Sequence, residues 1–191
     1  QVNYKKNKHT RARFYFDKDT VNFDDIRRFG FINIIKAELK IDYLNKVGPD
    51  VLEISTKQSR IIIDKSKKSK SMIKDFILNQ KYMSGIGNIY ANEILYASRI
   101  HPETKVNALS SNNWKDFFNN TKKIMKLAIK NNGTTLSDMT YFLPYGEFGS
   151  NQNFLKVYSK TNCLNCEHII DKIYIKQRST YFCRKCQKLK N

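Results

Sequence analysis

Residues 81–102 read KYMSGIGNIYANEILYASRIHP, a helix-forming stretch punctuated by two glycines. After Gly85 and Gly87 the apolar residues Tyr90, Ala91, Ile94 and Leu95 recur at helical spacing, which predicts a tight turn feeding a helix over 88–98. A turn at a helix start aims several backbone N–H groups and the positive end of the helix dipole at one point, and such a point suits a phosphate. Gly87 leaves room for close approach of the backbone, and Asn88 has a side-chain donor to add. The same residues also fit a plain helix–helix turn with Asn88 as N-cap, so the turn alone leaves both readings open.

Working outward, Ile73, Phe76, Ile77 and Gln80 share one side of a predicted helix over 71–80. The segment 56–70 is ambiguous, because Ile61, Ile62 and Ile63 favour a strand while their neighbours carry no strand period; a helix is the preferred reading. Downstream, Trp114, Phe117, Phe118, Thr121, Ile124, Met125, Ala128 and Ile129 predict a long core-facing helix stopped by Asn132-Gly133, followed by a functional loop over 133–153. Toward the start, Arg11 to Phe16 and Val21 to Phe23 alternate, Phe31 to Ile35 is a compact β-favouring run, and a short helix is expected over Glu38 to Asn45 before the break at Gly48-Pro49. The fold class is α+β, divided at about residues 50 and 155: sheet over 1–50, a helical domain over 51–155, and a cysteine module over 156–191.

That module carries the most specific spacing in the chain. Cys163-x2-Cys166, sixteen residues, then Cys183-x2-Cys186 matches a four-cysteine zinc site, each pair forming a turn that aims two thiolates at one ion. Between the pairs, Lys172 to Lys176 and Thr180 to Phe182 form a predicted hairpin with Gln177, Arg178 and Ser179 in its turn. His168 is the rival ligand, and a redox role for a C-x2-C pair is the rival chemistry.

Among 191 residues, 35 Lys and Arg stand against 17 Asp and Glu, a formal charge of +18. Codon bias toward Lys, Asn and Ile accounts for part of the excess; the rest points to a polyanionic partner, with nucleic acid foremost. No apolar run is long enough to span a membrane, and no signal peptide follows the basic start. Cysteines paired for a metal rather than a disulfide framework place the protein in a reducing, intracellular compartment, where a monomer is expected. The chain begins with Gln1 and runs at once into a strand-like segment, so an N-terminal segment is expected to precede it.

The 81–102 run resembles the helix-two-turn-helix signature of the formamidopyrimidine-DNA glycosylase / endonuclease VIII family. Three further stretches resemble the same family in the same order: residues 25–30 (DIRRFG), 133–136 (GTTL) and 177–183 (QRSTYFC). The resemblance implies a remnant of an N-terminal β-sandwich, a helix-two-turn-helix domain and a zinc hairpin that together hold damaged double-stranded DNA. It implies phosphate contacts for Lys81, Gly87 and Asn88, and a minor-groove and phosphate contact for Arg178. Arg27 and Phe29 match the pair that fills the gap left by an everted nucleotide, a void that costs a few kcal/mol unless occupied; Phe29 as ordinary β-core is the alternative. Glu93 matches a residue on the active-site side of its helix, where a structural hydrogen bond serves as well as catalysis. Ile26 replaces the family's usual Pro, and the loop after Leu136 departs from the common pattern, so lesion preference does not carry over.

Relatives in this family attack the sugar C1′ with an N-terminal proline amine, form a Schiff base and cut the strand by elimination. Here the prolines are Pro49, Pro102 and Pro144. The expectation is that roughly 90 upstream residues carry the nucleophile, that the complete protein is a DNA glycosylase with AP lyase activity, and that residues 1–191 alone are catalytically inactive. The competing readings are a non-catalytic damaged-DNA-binding module and an RNA-binding or transcriptional zinc ribbon.

Overall fold

The computed structural model describes residues 5–26, 28–39, 46–136, 143 and 147–189. Among them lie four α-helices and two two-stranded antiparallel sheets, an α+β architecture as expected. The chain forms two compact units, residues 1–40 with 128–153 and residues 41–127 with 154–191.

In the first unit, β1 (Thr10–Tyr15) pairs with β2 (Thr20–Asp24) in the register Ala12↔Phe23, Arg13↔Asn22 and Phe14↔Val21. The alternation read from the sequence is this hairpin. Asp25 then closes a tight loop, its carboxylate accepting from the backbone N–H of Arg28 (2.8 Å) and of Gly30 (2.6 Å). A Cβ at Gly30 would stand 2.6 Å from the Phe23 ring, so a side chain there would have to push that ring aside. Its tip presents Phe29 with 82% of its surface exposed among the described residues.

One expectation in this unit needs correction. Phe31 to Ile35 has no regular secondary structure, and Ile34 is fully exposed. A strand needs a partner for its N–H and C=O groups, and none of the described residues pairs with this run. Of the helix expected over 38–45, Glu38 and Leu39 lie in a 3-10 turn at Ala37–Leu39, and residues 40–45 lie outside the described residues. The long loop is tied at its base, where Ser150 N–H donates to Asn131 O and Asn151 N–H to Gly133 O, each at 2.9 Å.

The second unit is built on α1 (Thr56–Lys67), α2 (Ile73–Leu78), α3 (Asn88–Ala97) and α4 (Ser111–Lys130), the last continuing into the first unit. The ambiguous 56–70 segment is helical because Ser55 and Gln58 form a capping box at its start and because Ile62 alone of the three isoleucines is buried. Ile73, Phe76, Ile77, Met83, Ile86, Ile94, Leu95, Trp114 and Phe117 form one core. α4 ends as its sequence indicates, with Asn132 and Gly133 both at positive φ and Gly133 N–H donating to Ala128 O at 2.8 Å.

In the same unit, β3 (Asp171–Ile175) pairs with β4 (Arg178–Phe182). The connection is tighter than expected: Lys176 and Gln177 alone form the turn, both at positive φ, and Ile175 pairs with Arg178. Arg178 and Ser179 are therefore strand residues, because a two-residue turn whose twist matches the strands outcompetes a longer one.

Candidate zinc centre and nucleic-acid interface

Four thiols converge between β3, β4 and the two C-x2-C turns. The Sγ atoms of Cys163, Cys166, Cys183 and Cys186 all lie within 4.8 Å of one another. Three of these separations are 3.7 Å (Cys163–Cys186), 3.5 Å (Cys166–Cys183) and 3.5 Å (Cys166–Cys186). A zinc ion with bonds near 2.3 Å sets tetrahedral sulfurs about 3.8 Å apart, so the donor set fits zinc without rearrangement. His168 is exposed and outside the cluster, and four thiolates complete the coordination without it.

The zinc module is fastened to α3 by buried polar side chains. Gln187 accepts from Cys183 N–H at 2.9 Å and donates to Ile100 O at 2.8 Å. The His101 ring packs edge-on against Phe182 with centroids 4.4 Å apart, and burial holds its pKa below the usual imidazole value. Asn92 on α3 accepts from Tyr181 N–H at 2.9 Å and donates to Asn88 O at 2.7 Å.

Gly85 sits at φ +98°, a conformation that favours glycine, and Gly87 caps α3 with open space where a Cβ would point. The cap is thus Gly87 rather than Asn88, which becomes the first helical residue. The turn is held from inside by Gln80, whose side chain accepts from Gly85 N–H and donates to Ile86 O, each at 3.1 Å. Asn88 is half-buried, and its Nδ2 donates to Ser179 O at 3.1 Å. One of its two amide hydrogens is therefore already committed to β4.

Ser179 O is a meeting point. Besides Asn88, it accepts from Lys74 Nζ at 2.8 Å, and Nζ also reaches Thr180 Oγ1 at 2.7 Å and Asn92 Oδ1 at 3.3 Å. Lys74 is completely buried, with three acceptors for its three N–H groups. Burial first, and then the nearby Arg178 charge, lower its pKa to about 7. Sequence reasoning passed over Lys74, because a lysine beside an apolar stripe reads as a solvated edge and its partners are remote in sequence. Arg178 is exposed at the start of β4, one residue before that carbonyl, and Lys176 in the turn pairs with Asp75 at 2.7 Å.

The other candidates fall as follows. Lys81 is exposed just before the glycine turn. Glu93 is buried, and its oxygens accept from the N–H groups of Lys156 (2.8 Å), Val157 (2.9 Å) and Tyr158 (2.8 Å), so its carboxylate organises the approach to the zinc module. Phe29 is exposed in the other unit, and Arg27 lies outside the described residues.

Residues 47–140 match the family model described as the formamidopyrimidine-DNA glycosylase H2TH domain, and residues 163–189 match the zinc finger found in FPG and IleRS. A formamidopyrimidine-DNA glycosylase of Mycoplasma genitalium is 40% identical over 185 residues, covering 95% of this chain and 64% of that protein. One from Listeria monocytogenes is 37% identical over 194 residues, covering 97% and 69%. The chain thus spans about two thirds of the length of these relatives. Among solved structures, a Lactococcus lactis Fpg in complex with DNA containing an abasic site superposes with a TM-score of 0.85 at 30% identity, over 97% of this chain and 69% of that one. The Thermus thermophilus MutM (Fpg) protein gives 0.87 at 28% identity, over 98% and 71%.

Proposed function

The chain belongs to the formamidopyrimidine-DNA glycosylase family, and on that premise we propose that the protein serves base-excision repair, with these residues gripping damaged double-stranded DNA. The observation that supports this reading above the others is the shared carbonyl of Ser179, which anchors Asn88 at the start of α3 and lies next to Arg178 on β4. Arg178, exposed, and Asn88, half-buried with one amide hydrogen uncommitted, thereby sit side by side at that carbonyl.

In this reading the backbone N–H groups at Gly87 and the start of α3, with the second amide hydrogen of Asn88, hold one phosphate. Lys81 adds a point charge, and Arg178 adds a planar guanidinium suited to paired bonds with phosphate oxygens. Phe29, exposed on its closed loop, is a wedge that fills the gap left by an everted nucleotide, and Arg27 faces the unpaired base. The functional division follows: a sheet segment over 1–50, the helix-two-turn-helix domain over 51–155 and the zinc hairpin over 156–191. The protein acts in whichever compartment holds the DNA.

The complete protein, in the same proposal, removes an oxidised base and cuts the abasic strand. An amine attacks C1′, the base leaves, an iminium forms on the sugar, and elimination breaks the strand. In this reading the nucleophile is carried by a segment outside residues 1–191. The test is borohydride trapping of the full-length protein on duplex DNA bearing an abasic site, which is expected to yield a covalent adduct. In parallel, Asn88→Ala and Arg178→Ala should each weaken duplex binding by about tenfold, the value of one charge-assisted hydrogen bond. Undiminished binding by the double variant overturns the grip; binding without an adduct reduces the protein to a non-catalytic damage-binding module.

A further inference from the structure

Tyr96 occupies a place that DNA binding does not require. It lies on α3 two turns beyond Asn88, with its ring buried against Val157, Cys163, Ile170 and Cys183. Its hydroxyl oxygen stands 3.1 Å from Cys163 Sγ. A zinc-bound thiolate has lone pairs and no proton, so the sense of the bond in the loaded centre is O–H to S.

We propose that Tyr96 is a hydrogen-bonding partner of the zinc ligand Cys163, through which α3 slows metal release and fastens the zinc module to the helix that carries the glycine turn. The physical basis is that a donor aimed at a thiolate disperses its charge and orients its lone pairs on the metal. The groups that hold metal ligands in place typically govern metal affinity by one to two orders of magnitude. The buried position adds to the effect, because no water is available to replace the missing donor. Phenylalanine keeps the ring and its packing while deleting only the O–H, so Tyr96→Phe isolates the bond.

The experiment measures zinc affinity and release from the zinc-loaded full chain by competition with a chromophoric chelator, without DNA, so its result is independent of the DNA-binding proposal. Tyr96→Phe is expected to lose about ten- to a hundredfold in zinc affinity and to release the metal correspondingly faster. Tyr174→Phe, an exposed ring on β3, should match the wild type. A folded Tyr96→Phe that holds zinc as tightly as the wild type overturns the proposal. Should that variant fail to fold, the wild-type chain loaded with NMR-active cadmium answers the same question. A scalar coupling between the metal and the Tyr96 hydroxyl proton supports the bond, and a slowly exchanging but uncoupled proton overturns it.

Discussion

An ammonium group with no solvent exposure needs an acceptor for every N–H, and Lys74 finds them in Ser179 O, Thr180 Oγ1 and Asn92 Oδ1. Lys74→Met keeps the stem but removes the donor to Thr180 Oγ1, while Ser179 O keeps Asn88 and Asn92 Oδ1 keeps Tyr181 N–H. The substitution is expected to cost about 1–3 kcal/mol of stability by chemical denaturation. Its pKa of about 7 lies below the unfolded value near 10.4, so between these limits the unfolded chain binds more protons than the folded one. Unfolding free energy therefore gains from this group as pH rises from about 7 toward 10, and the gain should vanish in Lys74→Met. Phe29 is the opposite case. Because its ring is exposed, Phe29→Ala should leave stability within about 0.5 kcal/mol of wild type. It should also lower affinity for abasic duplex while sparing undamaged duplex, and equal losses on both would contradict the wedge role.

At the scale of elements, the zinc centre and the hairpin stand or fall together. β3 and β4 pair over five residues each, too few for an isolated hairpin to persist in water, and the metal closes their base. Chelating zinc should therefore expose the β3 and β4 amides to rapid hydrogen exchange, while those of α4 stay protected by their own core. Duplex affinity should drop at the same time, since Asn88 and Lys74 lose their shared acceptor. The Phe31 to Ile35 run teaches the complementary lesson: strand propensity without a partner strand yields no strand. Ile61 to Ile63 shows the same contest decided the other way, with a capping box and one buried face producing a helix from β-favouring residues.

At the scale of the whole molecule, the +18 charge governs association. Duplex binding should weaken linearly in log–log terms with added salt, and Arg178→Ala should reduce the slope by about one unit if that side chain neutralises a phosphate. Features with a local signal were legible in the order of residues alone. The C-x2-C turns, the glycine turn that precedes α3, the period and stop of α4 and the β1–β2 alternation each depend on residues within one or two turns of chain. Which polar side chains are buried, and what they hold, followed from the packing of the chain. It assigned Lys74 to the hairpin, Glu93 to the backbone of 156–158, one amide hydrogen of Asn88 to Ser179, and Arg178 to a strand. Lysine, glutamate and asparagine carry the same chemistry whether solvated or enclosed, and their partners here lie up to 106 residues away, so no spacing rule marks them. Burial, which turns such groups into structural fixtures, is a property of the packed chain.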